Sequence, residues 1–331
     1  MAVTIADIQK LRKMTGAGLA DCKKALTEAD GDIEKAIELV RERGLAIAAK
    51  RSDRETSNGC VLVKKVNDFA AIIALKCETD FVANGADFIK LTSDILDAAI
   101  AAKAHTLDEV KALKVGESDA QAAVTQRSGI TGEKMELDGY CVLEGDNIEV
   151  YDHMNKHTLC TMVQLNENNA EAGHKVAMQV AAMRPVALDE SSVSEETKKT
   201  ELEVAVAKTK EELVEKAVNA ALKKAGINPA HVDSEDHIES NTKKGWLTPE
   251  QAEEARNIKK TVGEEKAASL NPTMIQNIAN GRLAKFFKEN CLVDQEFQFG
   301  DGDKQTVAQY LAAQSKDLKI TAYKRFTLAA E

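Results

Sequence analysis

The chain has 331 residues, of which 44% are hydrophobic, 30% charged and only 4% aromatic, with a formal net charge of −10. That length supports two or three domains with their own cores, and the scarcity of aromatics and proline leans the composition towards helix. An acidic chain lacks the surplus Lys and Arg that neutralise phosphates, which argues against nucleic acid as a direct partner.

Residues 1–54 carry eleven Lys/Arg against nine Asp/Glu, a mild local excess. They read as a three-helix module. Thr4 caps a helix with Ile5, Ile8 and Leu11 on one face, ended by Gly16 and Gly18. A second short helix presents Cys22, Ala25 and Leu26. A third follows the Asp30-Gly31-Asp32 turn with Ile33, Ala36, Ile37 and Val40 at helical spacing, and Gly44 beyond its end. Helices this short must pack on one another to persist. The basic stretch from Ala49 to Asn58 reads as a linker.

The period then becomes strand-like. Cys60 to Val66 and Phe69 to Cys77 predict a hairpin around Asn67-Asp68, and Asp87 to Lys103 predicts a helix with Phe88, Leu91, Ile95, Leu96 and Ala99 on one side. Tyr140 to Glu144, Ile148 to Tyr151 and Thr158 to Leu165 repeat the strand signal, and Ala172 to Met183 repeats the helix. Ala74-Leu75-Lys76-Cys77-Glu78-Thr79 and Val163-Gln164-Leu165-Asn166-Glu167-Asn168 occupy matching places, which points to an internal duplication and two similar α+β subdomains.

From Asp189 to about Asn290 the chain makes a helical excursion. Ser192 and Glu195 have capping-box spacing, and Leu202, Val206, Leu213 and Ala217 mark one helix seam. Gly226, Asn228 and Pro229 stop it, and Thr248-Pro249-Glu250-Gln251 opens a second long helix, so the pair reads as an antiparallel hairpin around a polar connection. A strand at Glu296 to Phe299, a helix at Thr306 to Ala313 and a strand at Ile320 to Leu328 close the chain.

Six scattered cysteines without a C-x-x-C pair read as reduced, buried thiols. No apolar stretch approaches a membrane span and the first residues lack a signal-peptide pattern, so the expected compartment is the cytoplasm. His153 and His157 beside Asp152 lack a third ligand with convincing spacing, so no metal is expected. The run His231, Asp233, Glu235, Asp236, His237 reads as a solvated loop. The sequence contains no P-loop, G-x-G-x-x-G or G-x-S-x-G, so neither a bound nucleotide cofactor nor covalent catalysis is expected. Thr79-Asp80-Phe81-Val82 follows a buried-looking strand and precedes a helix. Phe81 there is either a core residue or an anchor for a partner's pocket, and pattern alone leaves both open.

Five stretches, in order, carry a resemblance. They are Thr15-Gly16-Ala17-Gly18-Leu19-Ala20-Asp21-Cys22-Lys23-Lys24-Ala25-Leu26, Gly31-Asp32-Ile33-Glu34-Lys35-Ala36, Cys77-Glu78-Thr79-Asp80-Phe81-Val82-Ala83, Met178-Gln179-Val180-Ala181-Ala182 with Pro185, and Gly281-Arg282-Leu283-Ala284-Lys285-Phe286-Phe287. Together they resemble the elongation factor Ts family over nearly the whole chain. The resemblance implies an α+β protein. Its parts are an N-terminal three-helix, ubiquitin-associated-like domain (1–54), a two-subdomain core with antiparallel sheets (55–138; 139–190 with 291–331) and an inserted coiled-coil hairpin (191–290).

It also implies guanine nucleotide exchange on elongation factor Tu, in its GDP-bound and nucleotide-free states, and leaves homodimerisation within that complex open. Thr79, Asp80, Phe81 and Val82 would enter the partner's GTP-binding domain and displace elements that hold Mg²⁺. Arg12, Leu19, Ala20 and Lys23 match an N-terminal surface that packs on the same domain, although Leu19 serves equally well to close the three-helix core. Tyr151 and His153 match a loop that lies on the partner's third domain. Asn84-Gly85 depart from the family's frequent charged pair and are expected to loosen the loop. Gln179 stands where some members have histidine, and the excursion is longer than usual. The rival readings are an adaptor that binds without affecting nucleotide release and a metal- or thiol-dependent enzyme built on His153, His157 and a cysteine.

Overall fold

The computed structural model describes residues 3–15, 17–51, 53–300, 302 and 304–329, with side chains throughout these except at Ile47 and Ala48. Three helices open the chain: α1 (Ile5–Thr15), α2 (Leu19–Glu28) and α3 (Ile33–Ala49). Thr4 caps α1, its Oγ1 accepting from the Asp7 amide at 3.2 Å. Leu11, Cys22, Ala25, Leu26, Ala36 and Val40 form the small core. Ile5 is not part of it, being 75% exposed on the first turn, and Gly16 lies outside the described residues.

Gly44 does not end α3. The helix continues to Ala49 because Gly44 sits at a close crossing with a later helix, α7. Between them the chain forms β1 (Asn58–Val66), β2 (Phe69–Cys77), the one-turn α4 (Asp80–Ala83), α5 (Ala86–Ala102), α6 (Leu107–Ala112), the two-residue strands β3 (Lys114–Val115) and β4 (Ser118–Asp119), and α7 (Ala120–Thr131). A Cβ on Gly129 of α7 would lie 2.2 Å from the Gly44 Cα, whereas one on Gly44 would lie 3.5 Å from the Gly129 Cα. The backbones therefore touch, and that contact docks the N-terminal helices on the core.

Strand β5 (Met135–Glu144) joins the β1–β2 hairpin to give the antiparallel order β1-β2-β5. It runs through position 138 and pairs with β2 along its length. The chain then forms β6 (Ile148–Asp152), β7 (Leu159–Leu165) and α8 (Ala170–Met183). Along β2, Phe69, Ala71, Ile73, Leu75 and Cys77 face a core with α5, α6 and α7, while Ala70, Ile72 and Ala74 face the second sheet through Ile148, Cys160 and Met162. A strand buried on both sides reads as a continuous apolar run, and Phe69 to Leu75 is one.

Residues Asp189–Asp294 form a separate unit. Helix α9 (Glu195–Lys224) is 30 residues long, about 45 Å at 1.5 Å per residue. It is followed by α10 (Glu235–Lys243), α11 (Pro249–Ala268) and α12 (Pro272–Asn290). The cap of α9 is Ser194, which accepts from the Thr197 amide, because Ser192 is occupied in a 3-10 turn closed on Asp189. α11 and then α12 run back along α9, whose buried positions are Ala205, Thr209, Val218 and Leu222. Leu202, Val206, Leu213 and Ala217 flank that seam and are half-buried. The connection predicted as a polar loop is instead ordered. Val232, Ile238 and Leu247, widely spaced among charges, meet Leu222, Ala252 and Ala255 in a small core, and Ser234 caps α10.

The remainder returns to the first unit with α13 (Val307–Gln314) and β8 (Ile320–Thr327), which completes a second sheet of order β6-β7-β8. Each three-stranded sheet thus has a hairpin whose second strand is central and a later strand on its far side. Glu296 to Phe299 is not a strand. Only Glu296 bridges to Thr306, because Gln179, buried in α8, claims the segment by bonding Gln295 Oε1, the Glu296 carbonyl and the Gln298 amide.

The glycine contact makes an asymmetric prediction. Gly129→Val must separate α3 from α7 and should lower stability by about 1–3 kcal/mol. Gly44→Ala meets ordinary contacts and gains helix propensity, so its thermal midpoint should stay level or rise; a differential scanning measurement on both variants checks this.

Candidate functional site

At the end of β2 the chain turns out of the sheet at Glu78 and Thr79. Thr79 is extended (φ −121°, ψ 153°) and caps α4, its Oγ1 accepting from the Val82 amide at 3.3 Å. One turn later the Gly85 amide donates to the Val82 carbonyl at 3.0 Å, and Gly85 opens α5. Asn84 tightens the turn rather than loosening it, because its Nδ2 donates to the Asp80 carbonyl at 2.8 Å. Within this single turn Ala83 is buried and Val82 packs on the α5 core, so the helical phase turns the preceding side chain outward. Phe81 is 87% exposed and Asp80 is exposed beside it. The core reading of Phe81 is therefore excluded.

Two carboxylates brace the turn, one reaching in from the segment that leads into β5 and one reaching out from the turn itself. Glu133 accepts from the Thr79 amide at 3.0 Å and from its hydroxyl at 2.6 Å. Glu78 accepts from the Lys134 amide at 2.6 Å and pairs with Arg54 at 3.1 Å, and these contacts hold its carboxyl below the ordinary value of 4.5. Neither glutamate stood out in the sequence. They act on residues more than fifty positions away, and only the β2–β5 register reveals the pairing.

Asp80 shares a cleft of about 250 Å³ with Lys156 and His157, in the loop that follows β6. Tyr151 and His153 stand at the head of that loop, joined by a 3.2 Å bond between the tyrosine hydroxyl and His153 Nδ1, and the Tyr151 ring meets His174 edge-on at 5.4 Å. Met154, Asn155 and His157 all have φ between 53° and 57°, a left-handed conformation that costs non-glycine residues energy. Asp152 holds His157 there by accepting from both its amide and its ring, while the His157 carbonyl accepts from Val61 at 2.7 Å. Met154, 65% exposed, was not singled out in the sequence.

Arg12 on α1 and Leu19, Ala20 and Lys23 on α2 are all exposed. Leu19 is 52% exposed at the first position of its helix and takes no part in the three-helix core, so the core-closing role does not hold for it. These residues lie on elements separate from the Phe81 turn. Among the described residues, no group of three or more His, Cys, Asp or Glu side chains is placed to hold a metal ion. Burial pushes the Cys60 and Cys77 thiols up to about 12, which leaves them protonated at neutral pH. Among the described residues, no helix is long and apolar enough to cross a membrane.

The lowered Glu78 pKa carries a pH signature. Its stabilising contribution is complete above about 4.5, the unfolded value, and is lost as pH falls through the lower folded value. The difference in thermal midpoint between the parent chain and Glu78→Gln should therefore be largest near neutrality and shrink below pH 4.5. A pH series of melting curves measures it.

Residues 78–330 match the family model described as elongation factor TS. The chain is 62% identical over 331 residues to "Elongation factor Ts" of Parabacteroides distasonis, covering all of both chains. It is also 62% identical over 332 residues to the protein of that name from Bacteroides fragilis, and 39% identical over 333 residues to that of Porphyromonas gingivalis, again at full coverage of each. An ordered set of motifs, an exposed aromatic turn between sheet and helix, and full-length similarity converge, and the chain belongs to the elongation factor Ts family of translation elongation factors.

Proposed function

We propose that this chain is a guanine nucleotide exchange factor for elongation factor Tu in the cytoplasm, accelerating GDP release without making or breaking a covalent bond. The observation that carries the reading is Phe81, an aromatic side chain 87% exposed on a turn whose neighbours are fixed. Burying a phenylalanine is worth about 1.5–3 kcal/mol, and this chain leaves that energy for a partner to supply.

The mechanism is linkage. If the Phe81 side chain is received only in an opened conformation of the partner's GTP-binding domain, the complex favours the nucleotide-free state. GDP affinity then falls by the factor by which this chain prefers that state. Thr79 and Val82 hold the turn and Phe81 supplies the contact. Asp80 disturbs the polar surroundings of the partner's Mg²⁺, whose loss leaves the diphosphate poorly neutralised. Arg12, Leu19, Ala20 and Lys23 dock the N-terminal helices on the same domain, and Tyr151 with His153 rests on another. On this reading the chain divides into an N-terminal domain (1–54), two core subdomains (55–138; 139–190 with 291–331) and the inserted hairpin (191–290).

Stopped-flow release of a fluorescent GDP from elongation factor Tu tests the proposal. The parent chain should accelerate release. Phe81→Ala should slow the accelerated rate by roughly thirtyfold, the equivalent of about 2 kcal/mol, with an unchanged melting midpoint. Binding without acceleration by the parent chain would favour the adaptor reading instead.

A further inference from the structure

We infer that Glu133 is a positioning residue that holds the Phe81 turn in its binding conformation before any partner arrives. The inference rests on the exchange reading above and deepens it. It starts from the sheet register. β2 and β5 pair Lys76 with Glu136 and Cys77 with Met135, so the next two rungs would set Glu78 opposite Lys134 and Thr79 opposite Glu133. At those two rungs side chains replace the backbone ladder. Glu78 takes the Lys134 amide, and Glu133 takes both the amide and the hydroxyl of Thr79. The phase is set by a register shift between Ala74 and Leu75, whose partners are Gly139 and Leu137. The extra residue, Asp138, is what brings Glu133 rather than Lys134 opposite Thr79.

The clasp matters because α4 has only four residues, far too few to hold a helical turn unaided. Its N-terminus is fixed through Thr79, and Thr79 is held by two hydrogen bonds to the one Glu133 side chain. Without Glu133, Thr79 keeps its capping bond to Val82 but loses its tie to the segment across from it. Phe81 must then be ordered at the moment it enters the partner, and ordering cost is charged against the opened state alone.

This separates Glu133 from a residue that merely stabilises the fold. In stopped-flow GDP release with full-length protein over a range of concentrations, Glu133→Ala should lower the maximal rate by about tenfold with little change in the half-saturating concentration. Glu133→Gln, which offers one acceptor to the Thr79 amide and one donor to its hydroxyl, should stay within about twofold of the parent. Amide hydrogen exchange in residues 80–85 should quicken in Glu133→Ala and not in Glu133→Gln. Should Glu133→Ala fail to fold, Glu133→Asp, whose shorter side chain withdraws the acceptor from Thr79 while leaving the cap on Val82 in place, is expected to reproduce the rate loss. Parent-like rate and exchange protection in Glu133→Ala, with Phe81→Ala still defective, would overturn the clasp alone. A parent-like rate in Phe81→Ala would overturn the clasp together with the exchange reading.

Discussion

Strand β2 has both faces out of water, and the arrangement of the larger unit follows from that. One face is closed by α5, α6 and α7 and the other by the second sheet, so the strand can neither slip nor flip without exposing one of two cores. Its register with β5 is therefore held firmly. That register in turn fixes where the chain leaves the sheet, at Glu78 and Thr79, and which residues stand opposite. The Phe81 turn inherits its position from a strand that has no freedom to move.

The same logic explains how a translation factor of this family can display an apolar side chain in water without distorting the fold. The stability of the unit lies in β2, in the facing Ile72, Ile148 and Met162, and in the backbone contact of Gly44 with Gly129. None of these touches Phe81. The exposed turn is free to serve a partner because the interactions that maintain the fold are elsewhere. The left-handed loop from Met154 to His157 follows the same pattern, being held by Asp152 and by the Val61 amide. Two separate exposed segments are thus fixed by buried or paired groups behind them, and preorganisation of this kind lowers the ordering cost of association.

Much of this was legible in the residues, for reasons that can be named. The β1–β2 hairpin, the α5 face and the Thr248 capping box are local patterns, and each appears at the expected residues. The reading failed where a distant contact overrode a local preference. Gly44 read as a helix end because nothing nearby announces Gly129. Glu296 to Phe299 read as a strand because its apolar alternation gives no hint that Gln179 claims its polar groups. The Asn228 to Leu247 connection read as polar because its three buried apolar residues are diluted by charges, yet it folds around them. At the site, Phe81 was recognisable as a candidate only through its setting and the family motif. Its bracing by Glu133 needed the sheet register, which one bulge shifts by a residue.

The central claim is energetic, that this chain prefers the nucleotide-free form of elongation factor Tu and gains that preference through Phe81. Calorimetric titration of the parent chain and of Phe81→Ala against the nucleotide-free and GDP-bound forms, at fixed Mg²⁺, measures it directly. The account predicts much tighter binding of the parent chain to the nucleotide-free form, with a GDP affinity lowered by the same ratio, and a collapse of that ratio in Phe81→Ala. Equal affinity of the parent chain for the two forms would contradict it, because a ligand without differential affinity shifts no equilibrium.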